Sequence, residues 1–266
     1  MLKALCYGSG SNGNCYIFTF SDEKNYTQSI MVECGIPIKE ILRKNVENQV
    51  KTADLKCCLV THGHGDHDRA YQDIRDRYIP IFASKETLED NRDYSPAREL
   101  ISGEIKVVAP DLIVLPFEVC HDFPGSMGFI LFNRVTNDKV LFINDCKYVE
   151  YDLSEFTFDY VFIECNYFND QVRAIYNEAL KRQRSGEGTR DDLKIIREYQ
   201  RVLDTHMGLY TTIRTLKKAK VEPPACKAIM LMHLSERHAN EYEMKQRISS
   251  MFGIPTFVCG RNGGIK

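Results

Sequence analysis

The segment Thr61-His-Gly-His-Gly-Asp-His67 restricts the fold of this chain more than any other stretch. It directly follows the apolar run 56–60, and it contains four potential metal ligands: His62, His64, Asp66 and His67. Alternate side chains of an extended segment point to the same side, so His62 and His64 can bind one cation together. We therefore predict a buried strand that ends in a metal-binding loop.

Two glycines alternate with these ligands. Gly63 and Gly65 are expected to let the backbone turn tightly, which would direct Asp66 and His67 toward a second position. Imidazole and carboxylate are ligands that zinc, manganese and iron accept. A lone surface histidine usually has no function, whereas three histidines and an aspartate in this order, at the end of a buried strand, indicate a metal site.

Three further polar residues stand directly after apolar, strand-like runs: His121, Asp145 and His233. Open α/β sheets usually place their chemistry just beyond the ends of their strands. Residues buried only for packing would more often fall inside such runs. We therefore expect these three side chains to contribute to the same site as the loop.

Short runs rich in Val, Ile, Phe, Tyr and Cys, bounded by Gly, Asn, Asp and Pro, predict β-strands through the first two-thirds of the chain. The predicted strands are 2–7, 15–20, 29–33, 55–61, 79–83, 105–108, 112–119, 128–133, 140–144 and 160–165, with two more at 228–232 and 256–259. Helices are expected after His67 and around 85–91. Strands with interleaved helices predict a layered α/β fold with two inner sheets.

From Asn169 the pattern becomes helical. Helices are predicted at 171–184, 191–204 and 207–220, and residues 167–206 are interpreted as a helical insertion within one domain spanning 1–266. A further helix is predicted from Ser235 to about residue 251, with Ser235 as its N-cap. Backbone N–H groups at that helix start would suit a phosphate oxygen, although capping alone is the favoured role of Ser235.

The 266 residues, 43% of them hydrophobic, suffice for one globular core. The chain shows neither a leader peptide nor an apolar stretch near the ~18 residues of a membrane span. We expect a soluble, cytoplasmic protein without a membrane partner. The ten cysteines lie mostly in apolar runs without a C-x-x-C pair, so buried free thiols are favoured over disulfides or a cysteine metal site.

The net charge of −2 gives no overall attraction to nucleic acid. Residues 171–220, however, hold 12 Lys and Arg against 6 Asp and Glu, a balance of +6. This basic block could bind a polyanion locally. On charge alone, the solvated surface of exposed helices is the favoured explanation.

The H-x-H-x-D-H loop, followed by a single His, a single Asp and a final His, resembles the metallo-β-lactamase superfamily. The resemblance implies a four-layer αββα sandwich over nearly the whole chain, and two divalent cations, with zinc favoured and manganese or iron as alternatives. It implies that His62, His64 and His121 hold the first metal. It implies that Asp66, His67 and His233 hold the second, with Asp145 bridging the two.

A narrower resemblance involves four stretches: Gly8-Ser-Gly-Ser-Asn-Gly-Asn-Cys15, His121-Asp-Phe-Pro-Gly-Ser-Met-Gly128, Glu164-Cys-Asn166 and His233-Leu-Ser235. They are similar to a small bacterial branch, the WalJ-like proteins, which are relatives of ribonuclease Z and ribonuclease J associated with exonuclease activity on DNA. The chain departs from the superfamily at Glu33, where an aspartate is usual. That acid is expected to support the metal loop through hydrogen bonds.

Two adjacent cations would activate a water for hydrolysis, and Asp66 is expected to orient it while acting as a ligand. His206 and His238 are candidate proton donors to the leaving group, and an ordinary surface position is an equal alternative for each. Ser9 and Asn14, in the first Gly-rich turn, are candidates for phosphate contacts, although a plain tight turn is favoured.

Three functional classes follow. The first is a phosphodiesterase or nuclease, exonuclease-like, which binds nucleic acid through the basic helices 171–220. The second is a hydrolase of a small ester, thioester or lactam. The third is a metal-bound protein without hydrolytic activity, which the complete ligand set disfavours. We favour the first. The sequence does not indicate the oligomeric state, although the resemblance implies a family in which a dimer is common.

Overall fold

A computed structural model of the chain describes residues 2–24 and 26–266. Twelve strands in this part of the chain form two sheets. The five-stranded sheet has the order β1 (Leu2–Gly8), β2 (Cys15–Ser21), β3 (Thr27–Cys34), β4 (Leu55–Leu59) and β5 (Ile81–Phe82). The seven-stranded sheet has the order β12 (Thr256–Val258), β11 (Ala228–Met232), β10 (Tyr160–Glu164), β9 (Lys139–Ile143), β8 (Met127–Asn133), β7 (Leu112–Glu118) and β6 (Lys106–Ala109). Every predicted strand has a counterpart.

Eight α-helices in the same residues connect and flank the sheets. They are α1 (Ile38–Glu47), α2 (Gly65–Asp68), α3 (Tyr71–Arg75), α4 (Lys85–Asp90), α5 (Asn169–Arg184), α6 (Arg190–Thr205), α7 (Leu209–Lys218) and α8 (Glu241–Phe252). Among residues 2–24 and 26–266, no helix combines the length and apolar character that crossing a membrane requires.

The two sheets face each other across a core rich in aromatic rings. Phe18 of β2 lies 4.6 Å from Phe162 of β10, and Tyr16 lies edge-on to Phe142 at 5.5 Å, measured between ring centroids. These side chains are fully buried. Alternate residues of each strand point to this interior, so strands with apolar residues on both faces must be covered on the outside as well.

Helices supply that outer cover. Ile41 of α1 and Ile74 of α3 pack on the outer face of the five-stranded sheet. Leu216 of α7 and Ile248 of α8 pack on the outer face of the seven-stranded sheet. The layers therefore run helix, sheet, sheet, helix, which confirms the predicted four-layer α/β sandwich.

Helices α5 and α6 pack on each other around a small apolar cluster that contains Val172 and Tyr199. Thr189 begins α6 with a capping box, since its hydroxyl accepts from the backbone of Asp192 while the Asp192 carboxylate accepts from the backbone of Thr189. The helices predicted at 171–184 and 191–204 are thus present. Their description as an insertion within a single domain stays a prediction.

Two helix predictions need correction. Ser235 does not begin a helix: its backbone N–H donates to the carbonyl of Asn166 at 2.9 Å, and the helix starts at Glu241 behind the N-cap Asn240. Sequence analysis also missed α1, whose N-cap position is Pro37 and which has no side-chain cap. All ten cysteines are free thiols, as predicted, and nine of them are buried.

Candidate metal centre

The loop that follows β4 is held in place by backbone contacts from the first 35 residues. Asn14 donates its backbone N–H to the carbonyl of Asp66 at 2.7 Å and its side-chain amide to the same oxygen at 3.2 Å. Gly35 packs directly against this carbonyl, since a Cβ on Gly35 would lie 1.7 Å from it. The contacts from Asn14 and Gly35 therefore fix the backbone position of Asp66 and His67.

Three imidazole nitrogens converge on one point beside the loop. Nε2 of His62 lies 3.1 Å from Nδ1 of His64, and Nε2 of His121 lies 3.2 Å from the same Nδ1. Nδ1 of His64 has one lone pair, so it cannot accept a hydrogen from both neighbours. Hydrogen bonds among these three nitrogens therefore leave at least one of them without a partner. One cation could instead accept the lone pairs of all three.

A second group of four donors lies next to the first, with one ligand atom per residue within 4.8 Å of the others: Asp66, His67, Asp145 and His233. Nε2 of His67 lies 3.2 Å from Oδ2 of Asp145 and 3.6 Å from Oδ2 of Asp66. Two carboxylates and two imidazoles suit a divalent cation such as zinc or manganese. All seven residues predicted as ligands are therefore assembled in two adjacent groups.

His233 supplies a test of whether this second group fits a metal. Its Nε2 is buried and has no hydrogen-bond partner among the residues that the structure describes. The nearest acceptors are 3.7 Å away on Asp66 and 3.9 Å away on Asp145, beyond hydrogen-bond distance. A buried nitrogen without a partner destabilises the fold unless something else occupies its lone pair, and a cation would do so.

Three of the eight non-glycine residues with a positive φ in the described part of the chain lie at the same place. Glu33, Asp145 and His233 have φ of 64°, 50° and 54°, in the left-handed region that residues other than glycine rarely adopt. Each stands at or just beyond the end of a strand. Strain of this kind persists where the surroundings hold the residue for another purpose, here the direction of its side chain.

The carboxylate of Glu33 orients two of the histidines. Its Oε1 lies 3.2 Å from Nδ1 of His67 and accepts the hydroxyl of Thr61 at 2.6 Å. The Thr61 oxygen in turn lies 3.0 Å from Nδ1 of His62. With both Nδ1 atoms donating, Nε2 of each ring keeps its lone pair for a cation. Glu33 therefore takes the position expected of the family aspartate.

The rings of His121 and His233 are also oriented through Nδ1, whereas His64 turns its Nδ1 toward the other two rings of the first group. Nδ1 of His121 lies 3.2 Å from the carbonyl oxygen of Thr205. Nδ1 of His233 lies 3.4 Å from Oε1 of Glu164, and the backbone N–H of His233 donates to Ser9 at 2.9 Å. Ser9 is buried, with 1% of its surface exposed, and it supports the backbone of His233; its contact with phosphate stays a prediction.

His206 lies beside the second group. Its Nδ1 is 2.7 Å from Oδ1 of Asp145 and 2.8 Å from Oε1 of Glu164. Burial opposes protonation, but the two carboxylates outweigh it and raise the pKa of His206 to about 10. Since Nδ1 is taken, Nε2 is the nitrogen left to face the cleft that His206 lines.

The pKa values report a surplus of buried negative charge. Burial disfavours charge on His67 and His233, but their acidic neighbours hold the pKa of His67 well above its ordinary value and raise that of His233 to about 9. Burial and the His67 ring lower the pKa of His62. Protons on two rings thus balance carboxylates that divalent cations would balance instead.

Sequence analysis missed Glu164 as a site residue. It is fully buried at the end of β10, where its Oε2 accepts from the backbone of Cys146 at 2.8 Å and of Met207 at 3.1 Å. The rule that singled out Asp145, a polar residue at a strand end, applies to Glu164 as well. Thr61 was missed too, because a hydroxyl between two ligands gives no separate signal.

Asp66 and His67 lie in the second group, as the loop was expected to place them, but the two glycines do not turn the backbone through a positive φ. Neither Gly63 nor Gly65 has a positive φ among the described residues. A Cβ on Gly63 would lie 2.6 Å from the ring of Phe123, which packs near His62 and His64, so Gly63 makes room for that ring. A Cβ on Gly65 would meet nothing within 4 Å.

Three other predicted residues lie around the centre in different ways. Asn14 is buried, and its side-chain nitrogen lies 3.2 Å from Nε2 of His67. Ser235 is partly exposed and lines the cleft. His238 also lines the cleft, but its ring packs on Tyr199 at 4.7 Å, and it belongs to neither donor group.

The cleft beside His206 has a volume of about 560 Å³. Four arginines contribute to its lining: Arg197, Arg201, Arg237 and Arg261. Arg237 pairs with Glu198 at 3.0 Å, and Arg261 pairs with Glu236 at 2.6 Å. Arg197 and Arg201, on α6, are in no ion pair with a residue that the structure describes, so the cleft keeps a positive wall.

Comparison with known proteins agrees with this geometry. The family model described as "Beta-lactamase superfamily domain" matches residues 30–234. Exodeoxyribonuclease YycJ of Bacillus anthracis is 30% identical over 150 residues, which make up 53% of this chain and 53% of that protein. The chain therefore matches about half the length of this curated relative, which agrees with the predicted bacterial branch.

Solved structures show the same fold at low identity. The metallo-β-lactamase fold protein YhfI from Bacillus subtilis is 14% identical with a TM-score of 0.68, covering 100% of this chain and 99% of that one. Zn²⁺-bound PqqB from Methylobacterium extorquens is 13% identical with a TM-score of 0.63, covering 99% of each chain. The short form of human tRNase Z is 15% identical with a TM-score of 0.58, covering 88% and 93%. The chain belongs to the beta-lactamase superfamily.

Proposed function

We propose that this protein is a metal-dependent phosphodiesterase that acts on nucleic acid in the manner of an exonuclease. The observation that carries the proposal is that His206, which lines the arginine-lined cleft, lies 2.7 Å from Asp145 of the second donor group. The metal ligands would hold the cations that hydrolysis needs. The arginines would bind the phosphates of the substrate.

Two divalent cations are proposed as the cofactors. The first would be held by His62, His64 and His121. The second would be held by Asp66, His67 and His233, with Asp145 between the two. When bound, such cations lower the pKa of a coordinated water and offset charge on the phosphate under attack. Zinc is the favoured ion, and manganese or iron would suit the same donors.

The protein's own residues would then handle the protons. The Asp66 side chain is 24% exposed, the highest value in the second donor group, so it is placed to orient an attacking water. His206 is held in the protonated form by Asp145 and Glu164, and Nε2 would donate that proton to the leaving oxygen. His238 has neither carboxylate, and we assign it no proton transfer.

The cleft fits a polyanion better than a small apolar substrate. A hydrolase of esters, thioesters or lactams needs a largely apolar pocket, whereas Arg197 and Arg201 present unpaired guanidinium groups to this one. Arginine binds phosphate through paired N–H donors. The similarity to an exodeoxyribonuclease supports DNA as the polymer, and the basic helices α5, α6 and α7 would extend the contact. A dimer and a cytoplasmic location stay predictions.

The test is turnover by the purified protein with zinc or manganese. The substrates are single- and double-stranded DNA, RNA, bis-p-nitrophenyl phosphate and a thioester, and the control is the Asp66→Ala, His67→Ala variant. We expect cleavage of nucleic acid and bis-p-nitrophenyl phosphate, lost after chelation and absent in the control. Turnover of the thioester without the phosphodiesters would contradict the proposal and favour the small-molecule hydrolase.

A further inference from the structure

A second depression borders the metal centre, and none of the residues that line it lines the arginine cleft. Its volume is about 610 Å³, and His121 and Phe123 form the wall that it shares with the first donor group. Phe123 reaches both sides, because its ring also lies 5.4 Å from the ring of His64. A substrate bound at the metals would therefore extend into this depression as well as into the arginine cleft.

The lining differs from that of the arginine cleft. Two further aromatic rings, Tyr148 and Tyr151, contribute to it, together with the acids Glu118 and Glu150. No lysine or arginine lines it. Neither acid is in an ion pair with a residue in the described part of the chain. Phosphate would be repelled here, so this side of the centre does not bind a nucleic-acid backbone.

The position of the aromatic rings is fixed by the backbone. Cys120 donates its N–H to the carbonyl of Tyr148 at 3.1 Å, and Lys147 donates to the carbonyl of Cys120 at 2.7 Å. This bridge pairs Tyr148 with Cys120, which directly precedes the predicted ligand His121. Tyr151 is supported from behind by Phe117, with the rings stacked at 25° and 5.4 Å apart.

We infer that this depression binds the nucleobase of the nucleotide next to the scissile phosphate, with the Tyr148 and Tyr151 side chains as its stacking surface. This inference rests on the proposed function. Every base has a π-face, so aromatic side chains bind bases with little sequence preference. Glu118 and Glu150 accept hydrogen bonds from exocyclic amino groups, a chemistry that phosphate lacks. The volume lies within the range of small-molecule pockets.

The arginine cleft and the aromatic depression would bind different parts of the substrate. The arginines would bind the phosphates of the strand that remains, and the aromatic depression would bind the base that leaves. An enzyme built in this way removes one nucleotide from an end, stacks any base on its tyrosines, and favours a base with an exocyclic amino group over thymine. It would lose affinity for a terminus whose base is missing.

The experiment is a binding titration with single-stranded oligonucleotides whose scissile linkage resists hydrolysis. One carries a normal end nucleotide, and its pair carries an abasic residue there. We expect loss of the base to weaken binding to the wild type by about 5- to 100-fold. Tyr148→Leu should reduce that penalty, and Tyr148→Leu with Tyr151→Leu should nearly abolish it, while Tyr148→Phe retains it. Tyr242→Leu, which alters a ring 73% exposed on α8, is the matched control and should also retain it.

The outcomes separate the two proposals. An abasic penalty that is the same in wild type and Tyr148→Leu overturns the base-binding depression, even if the protein binds and cleaves DNA. Failure of the wild type to bind either oligonucleotide, together with failure to cleave the same sequence with an ordinary linkage, overturns the proposed function and this inference with it. If the double variant does not fold, Tyr148→Leu and Tyr148→Phe still decide between these results.

Discussion

The carboxylate of Glu33 lies 3.2 Å from Nδ1 of His67, and both side chains are completely buried. Burying a carboxylate is costly unless it is paired, and this one is used for position. It fixes the ring of His67 directly and the ring of His62 through Thr61. The longer acid in place of the usual aspartate thus still reaches the loop, from a strained backbone position.

Glu33→Gln should weaken metal binding by about 10- to 100-fold, because loss of a buried partner releases the orientation of a ligand. The measurement is competition with a chromophoric chelator. Asp93→Asn is a matched control, since Asp93 is a buried acid that accepts from Tyr71 and Arg98. The control should keep its metal affinity. Equal affinity in Glu33→Gln and wild type would show that Glu33 does not position the ligands.

Gly35→Ala should lower the free energy of unfolding by about 1–3 kcal/mol or more, as overpacking does, and should also weaken metal binding. The added Cβ would meet the carbonyl of Asp66, which cannot move without displacing the loop. Gly65→Ala is the control inside the same loop, because its Cβ would meet nothing within 4 Å. Thermal unfolding and the chelator titration measure both effects; similar results for the two variants would refute the close packing.

His206→Gln should slow cleavage of an oligonucleotide by about 10²- to 10⁴-fold, the usual contribution of a general acid. Cleavage of bis-p-nitrophenyl phosphate should slow far less, because p-nitrophenolate leaves without a proton. His238→Gln, in the same cleft but without contact to Asp145, should affect neither rate strongly. If His206→Gln lowered the cleavage rates of the two substrates by the same factor, His206 would have a structural role and would not donate the proton.

Arg197→Gln with Arg201→Gln should weaken oligonucleotide binding. Each lost phosphate contact should reduce the slope of log affinity against log salt concentration by about 1. Hydrolysis of bis-p-nitrophenyl phosphate, which does not extend along the cleft, should be unchanged. Lys39→Gln removes a charge from an exposed position on α1, outside the basic helices, and is the matched control. An unaltered salt slope in the arginine variant would exclude this cleft as the path of the strand.

The sequence predicted this fold well because its signals are local. Strand ends singled out His121, Asp145 and His233, and the structure brings all three beside the loop. What failed depends on distant contacts. Ser235 resembles an N-cap, but a hydrogen bond to Asn166, 69 positions earlier, keeps it out of the helix.

The site was less predictable where a role depends on two partners. The pKa of His206 is raised by Asp145 and Glu164, which lie 61 and 42 positions before it. A single histidine in a loop carries no sign of such neighbours, so the sequence left His206 and His238 equal. Glu164 could have been found from its place at a strand end, whereas the role of Gly63 could be recognised only together with the ring of Phe123.

The claim that two cations assemble on this loop is tested most directly by the metal content of the purified protein after equilibration with zinc and removal of free ions. The account predicts two ions per chain in the wild type. It predicts one in His64→Ala with His121→Ala, which removes two of the three donors of the first group, and two in His238→Ala. One ion in the saturated wild type, or two in the His64 and His121 variant, would contradict it.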